Sequence, residues 1–307
     1  MKKQLSLSPF NLIDPKYHCH FNAVDSVVAM TNKFEDSTNL LWLCDSKQSE
    51  PAVIKVCDWQ DVEDSDFWLG MRALFNLQYP QQMGFYAKVY ELINDVTVLS
   101  IPELLACESA TPDYAGFLYC SKLPGQVLED GVEGGVNEQM VRQLVHHLTQ
   151  LHNVTNNQFG TLFNPEFSKA LWWLKIRSTI TLLAEKQGVK IDRNLESTLF
   201  KSQQACPVQF VPIMPDLRWD QFLTDSEKLT GLVDLDAMVF GAVELEFVVL
   251  EYLLTEQQAV LFKQVYQMEH DLPDLRACRD VYRVLLFLMN ILGEKSLYAW
   301  MQAPTRF

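Results

Sequence analysis

Apolar positions recur along the chain in two periods. Through the first 120 residues or so the short period dominates. Residues 21–30 and 40–44 are apolar runs parted by a polar turn at 32–39. Ala52-Val53-Ile54-Lys55-Val56 follows a Ser-Glu-Pro turn. Runs of this kind between turn residues predict strands. Between residues 66 and 94 the spacing lengthens. Phe67, Met71, Leu74 and Phe75, then Tyr86, Val89 and Leu92, predict helix in two pieces. Residues 96–105, with Pro102 inside, and 114–123, ending at Pro124-Gly125, predict two more strands.

After Gly125 the texture changes. Residues 129–135 read as an acidic, Gly-rich loop. Asn137 is placed to cap a helix whose apolar face is Met140, Val141, Leu144, Val145, Leu148 and Leu151. His146-His147 is assigned to its polar, solvated face. Residues 167–187 predict a second helix, with Trp172-Trp173 read as a core residue beside a half-exposed one. Residues 209–213 predict a short strand. Residues 222–223 and 229–235 flank Thr-Asp-Ser-Glu-Lys and predict a hairpin, and from Glu244 onward the pattern is helical. The expected organisation is a strand-rich part, then a mainly helical part holding a hairpin.

The composition narrows the functional classes. The 307 residues are 48 % hydrophobic and 21 % charged, ordinary for a globular chain. The net charge of −14 argues against a nucleic-acid binder, which neutralises phosphates with basic residues. The longest apolar stretches, 247–254 and 284–292, are about half of what spans a bilayer, so no membrane association is expected. The first residues lack the apolar core of a signal peptide. Seven scattered cysteines with no CxxC read as reduced thiols of a cytoplasmic protein. His18-Cys19-His20 is spaced too tightly for a tetrahedral zinc site.

Four features carry candidate chemistry, and they fall in one order. Lys55 alternates out of an apolar strand. A second strand ends in Leu123-Pro124-Gly125. Asp216 and Gln221 lie in Met214-Pro215-Asp216-Leu217-Arg218-Trp219-Asp220-Gln221, between two strands. Asp234 closes the strand Leu232-Val233. Phosphoryl transfer uses such parts: a strand lysine for the α/β-phosphates, a carboxylate at the acceptor hydroxyl, and oxygen ligands for Mg²⁺. The bland alternatives are an edge-strand lysine and turn aspartates, which are common.

These residues resemble the aminoglycoside phosphotransferase and choline kinase group. That group has a strand lysine, a hinge ending in Pro-Gly, a helix ending in Leu-His, a His-Gly-Asp-(x)4-Asn loop and an Ile-Asp metal motif. Here the matches are Lys55, Leu123-Pro124-Gly125, Leu151-His152, Asp216 with Gln221, and Val233-Asp234. Gly241 and Glu246 stand where the group has a glycine and a structural aspartate. The likeness covers roughly residues 20–260.

The resemblance implies an α+β, two-lobed protein-kinase-like fold. An antiparallel-sheet N-lobe would span residues 1–123 and a mainly helical C-lobe residues 124–307. It implies ATP in the cleft, with Lys55 on its phosphates and the backbone of Ser121 and Leu123 on the adenine edge. It implies Mg²⁺ held by Gln221 and Asp234, with Asp216 at the acceptor hydroxyl. The expected activity is ATP-dependent phosphorylation of a small hydroxylated molecule bound within 155–200 and 245–300. Acidic residues there (Glu244, Glu246, Glu251, Glu256, Asp271, Asp274) would tolerate a cationic amino sugar or amino alcohol. His152 is expected to be structural and to hydrogen-bond the catalytic loop.

The sequence departs from the group in four places. Met214-Pro215 replaces His-Gly, Gln221 replaces Asn, residues 22–32 contain no glycine, and no helix glutamate is well placed for Lys55 (Glu91 is late, Glu63 early). The alternative reading is therefore a catalytically weak or inactive kinase-fold protein with a nucleotide-binding or regulatory role.

Overall fold

The computed structural model describes residues 8–31, 37–57, 62–128, 135–191, 197 and 207–307. Most of the polar turn 32–39 and of the acidic loop 129–135 lies outside them, as does Asn32 of the glycine-free stretch.

Strands β1 (Ser26–Ala29), β2 (Asn39–Asp45), β3 (Ala52–Cys57), β4 (Leu104–Glu108) and β5 (Gly116–Ser121) form an antiparallel sheet in the order β1-β2-β3-β5-β4. The period-2 pattern of β3 decides its two faces. Ala52, Ile54 and Val56 are buried against Trp42, Phe117, Tyr119, Phe21 and Ile13. Lys55, opposite in parity, leaves from the other face between Leu41 and Leu118. Short 3₁₀ turns at Pro9–Asn11 and Pro15–Phe21 supply Phe21 to the buried face.

Helices α1 (Asp66–Phe75) and α2 (Tyr86–Val96) are the two predicted pieces. Ser65 caps α1 through Trp68 N–H, and Asn76 ends it with φ 57°. The strand expected over 96–105 begins only at Leu104, because α2 runs to Val96 and Pro102 lies ahead of the ladder.

Asn137 Oδ1 accepts Met140 N–H at 2.9 Å and starts α3 (Glu138–His152) as expected. His147, however, is fully buried, and only His146 is exposed. Residue 147 lies three past Leu144 and four before Leu151, which puts it on the apolar face. Helix α4 (Trp172–Gln187) starts later than predicted, because Phe167 and Ser168 belong to a strand. Both tryptophans at its start are buried. Trp172 Nε1 donates to Tyr282 O–H at 2.8 Å, and Trp173 stacks on the same ring.

The remaining strands are β6 (Gln126–Val127), β7 (Gln158–Thr161), β8 (Asn164–Ser168), β9 (Val211–Ile213), β10 (Phe222–Thr224), β11 (Leu229–Leu232) and β12 (Val239–Gly241). They make two small sheets, β11-β10-β6 and β8-β7-β12-β9, and β10–β11 is the predicted hairpin. Helices α5 (Val243–Leu253), α6 (Glu256–Tyr266), α7 (Arg279–Leu288) and α8 (Leu297–Met301) complete the chain.

One apolar core runs from α1 and α2 into α3, α4, α5 and α7. Helix α1 is fastened to α4 at both ends. Lys186 Nζ meets Asp66 at 2.8 Å, and Lys175 Nζ donates to Ala73 O at 3.0 Å.

Candidate active site

The sheet and the β10–β11 hairpin bring Lys55 to the turn after β11. Lys55 Nζ donates to Asp234 Oδ1 at 2.7 Å and to Asp236 Oδ2 at 2.6 Å. Asp234 has φ 72°, uncommon for a residue other than glycine but adopted by aspartate more readily than by most. Its neighbour Val233 is fixed by donating its N–H to Gln221 O at 2.8 Å.

Asp236 is nearly fully buried. Its Oδ2 also accepts Tyr79 O–H at 2.7 Å and Asn39 Nδ2 at 3.2 Å, and the Tyr86 hydroxyl donates to its carbonyl. Its Oδ1 is buried with no hydrogen-bond partner among the described residues. Tyr79 is held by a parallel stack on Trp68, with ring centroids 4.4 Å apart.

Burial opposes charge on all three groups, and the contacts decide the outcome. Burial pulls the Lys55 ammonium down, but Asp234 and Asp236 more than offset it and hold it above its ordinary value. Burial would raise Asp234; Lys55 outweighs it, and this carboxyl stands below the usual range. At Asp236 burial wins and the carboxyl is pushed up.

Asp216 follows β9 on a turn closed by Leu217 N–H to Met214 O at 3.1 Å. Burial, then the charge of Asp234, push its carboxyl up to about 7. Gln221 is buried, and its amide spans the loop. Its Oε1 accepts Arg218 N–H at 3.0 Å, and its Nε2 donates to Asp216 O at 3.3 Å. Arg218 Nε pairs with Asp220 at 3.0 Å.

The base of the loop is anchored by Glu246. Its Oε1 accepts Met214 N–H at 2.8 Å, and its Oε2 lies 2.8 Å from His152 Nε2. His152 Nδ1 in turn meets Tyr266 O–H at 2.8 Å. A Cβ on Gly241 would overlap the Ile213 side chain on the adjacent strand, so β9 and β12 need glycine there.

At the predicted hinge, Ser121 N–H donates to Glu103 O at 2.9 Å and Lys122 N–H to Pro51 O at 2.8 Å. The Ser121 hydroxyl accepts Glu103 N–H at 2.8 Å. The Leu123 side chain covers Gly231 of β11, where a Cβ would sit 2.9 Å from Leu123 Cδ1.

The family model described as "Phosphotransferase enzyme family" matches residues 39–281. The chain belongs to the phosphotransferase enzyme family. Solved structures of similar fold include an ADP-bound aminoglycoside phosphotransferase APH(2'')-Ib, at 12 % identity and TM-score 0.57, covering 95 % of this chain and 98 % of that one. A thermostable mutant of aminoglycoside phosphotransferase APH(4)-Ia, in ternary complex with ADP and hygromycin B, shares 16 % identity at TM-score 0.60, covering 93 % of each. Macrolide 2'-phosphotransferase MphH from Brachybacterium faecium shares 12 % at TM-score 0.56, covering 94 % of this chain and 98 % of that one. No curated protein sequence matches. The α+β kinase-like fold expected from the sequence is therefore the fold of this phosphotransferase-family chain.

Lys55 contacts Asp234 directly, the charge of Asp234 reaches Asp216, and Gln221 Nε2 donates to the Asp216 carbonyl. Tyr79, Tyr86, Asn39 and Asp236's place in the ion pair were not read from the sequence. Among the described residues no glutamate pairs with Lys55: Glu91 is exposed on α2 and Glu63 lies beyond the start of α1. Two acidic residues expected near a cationic acceptor are consumed by the fold. Glu246 holds the loop, and Glu251 is buried against Arg279 at 3.1 Å and Arg283 at 2.6 Å. No helix of the described residues is long and apolar enough to cross a membrane.

Proposed function

We propose that this protein transfers a phosphoryl group from ATP to a hydroxyl of a small molecule. Residues 1–123 would carry the nucleotide side and 124–307 the acceptor side. The observation that supports this reading is the junction of Lys55, Asp234 and Asp216. A strand lysine meets a turn carboxylate at 2.7 Å, and that carboxylate's charge is felt by a second one on the neighbouring loop.

Lys55 has three N–H donors, and two are used by the aspartates. The third is available for a phosphate oxygen. Asp216, poised near neutrality, orients the acceptor hydroxyl and takes up its proton. The backbone at Ser121 and Leu123 is the proposed adenine edge.

The residues present fit Mg²⁺. Among the described residues no cage of three His, Cys, Asp or Glu exists. Mg²⁺ is commonly held by one or two carboxylates together with substrate phosphates and water. Asp234 offers such an oxygen, and Gln221 Oε1 keeps a second lone pair beside the one facing Arg218 N–H. When bound, the ion would neutralise phosphate charge.

One observation favours a second reading, a nucleotide-binding regulatory protein. Both ends of the Gln221 amide are engaged by the loop backbone. Thermal denaturation with ATP and Mg²⁺ is the first test. At about 100 times its dissociation constant the ligand stabilises by roughly 2.7 kcal/mol, a rise of several degrees. No shift at millimolar ATP removes both readings. A shift without ATP consumption across a library of amino sugars and amino alcohols selects the regulatory one.

A further inference from the structure

Among the described residues no helix glutamate pairs with the strand lysine, and the structure holds a substitute. Asp236 Oδ2 sits 2.6 Å from Lys55 Nζ, on the turn that also carries Asp234. We infer that Asp236 is the positioning residue of Lys55, in place of a glutamate on a helix. This rests on the nucleotide reading given above.

Three observations carry it. First, the Asp236 side chain is 4 % exposed, whereas that of Asp234, Lys55's other partner, is 36 % exposed. The buried contact fixes the ammonium, and the open one faces the space where phosphates would lie. Second, Oδ2 is gripped by Tyr79 O–H and Asn39 Nδ2 as well as by Lys55, and the residue's backbone by the Tyr86 hydroxyl. A carboxylate with its rotamer locked by several donors can hold a flexible lysine in one place. Third, the grip reaches the helix indirectly. Trp68 of α1 stacks on Tyr79 and donates Nε1–H to Thr38 Oγ1 at 2.9 Å. The helix thus orients the lysine through Trp68, Tyr79 and Asp236 in series, and needs no acidic side chain of its own.

The arrangement needs no glutamate on the helix. A second buried carboxylate beside Asp236 would add an unpaired charge to a site already short of cations. It also gives Asp236 a job different from metal ligation, although its buried Oδ1 has no hydrogen-bond partner among the described residues.

The test is a double-mutant cycle read as the dissociation constant of ATP with saturating Mg²⁺, by calorimetry on the full chain. Asp236→Asn should weaken ATP about tenfold or more in the wild-type background. In a Lys55→Met background it should do nothing further, since the residue it positions is gone. Tyr79→Phe, which removes one hydroxyl and leaves the ion pair, should show the same dependence on Lys55 with a smaller change. It keeps the test valid if Asp236→Asn does not fold. A purely structural role would weaken binding equally in both backgrounds, and that result overturns the inference. A metal-ligand role would shift the Mg²⁺ requirement of Asp236→Asn and persist with Met at position 55, which also overturns it. Wild type that binds no ATP defeats the nucleotide reading and takes this inference with it. Wild type that binds, with additive variants, defeats this inference alone.

Discussion

Glu246 and His152, on α5 and α3, meet at 2.8 Å inside the core, and the other oxygen of Glu246 holds Met214 N–H at the same distance. The loop that ends in Asp216 is therefore hung from two helices by one carboxylate. Glu246→Ala strips two buried groups of their partner. Each costs roughly 1–3 kcal/mol, so the urea midpoint should fall by the equivalent of about 2–6 kcal/mol. An unchanged midpoint would show that water replaces the carboxylate without loss.

Asp216→Asn keeps shape and removes the charge. Phosphoryl transfer should drop by about 10²–10⁴-fold while ATP affinity barely moves. In the wild type, the carboxylate form of Asp216 accumulates as pH rises through about 7, because burial and Asp234 raise it there. Its kcat/KM should climb with pH below that value and level off above it. A flat profile from pH 5 to 8 contradicts the assignment of Asp216 as base.

Asp234→Asn should weaken ATP binding chiefly when Mg²⁺ is present. Calorimetry with and without the ion separates the effects. If the variant keeps the wild-type Mg²⁺ dependence, Asp234 is not a ligand.

His147 gives a prediction about acid stability. Its imidazole is held down to about 3, by burial first and then by His152 and His146. The unfolded chain takes up that proton near pH 6.5, whereas the folded one resists it. Stability from this residue is thus present above pH 6.5 and lost as pH falls toward 3, at up to about 1.4 kcal/mol per pH unit. His147→Gln cannot titrate, so its deficit against wild type should shrink from pH 7 to pH 5. Parallel stability curves would refute this.

The sequence carried the parts of the site that sit close together or on a strong pattern. Lys55 followed from period-2 alternation, Asn137 from capping chemistry, and Glu246 from the family resemblance, which places a structural acid there. Asp236 was visible only as a neighbour of Asp234. Its partners Tyr79 and Asn39 lie 157 and 197 residues away, and no local pattern links them. Tyr79-Pro80 reads merely as a break between helices, since only the tertiary fold brings it beneath the turn. His147 is misplaced on the polar face by the sequence reading, although counting from Leu144 and Leu151 puts it inward. The small strands β6, β7, β8 and β12 escaped because two to five residues are too few to set a period.

The fastening of α1 to α4 by Lys186–Asp66 and Lys175–Ala73 has a mechanical consequence. Trp68 rides with the helical body, whereas Lys55 rides with the sheet. Any parting of the sheet from the turn after β11 must pull the lysine off both aspartates in one stroke. The ammonium is thus a latch between strand β3 and the turn after β11, and its two charge contacts close together or not at all.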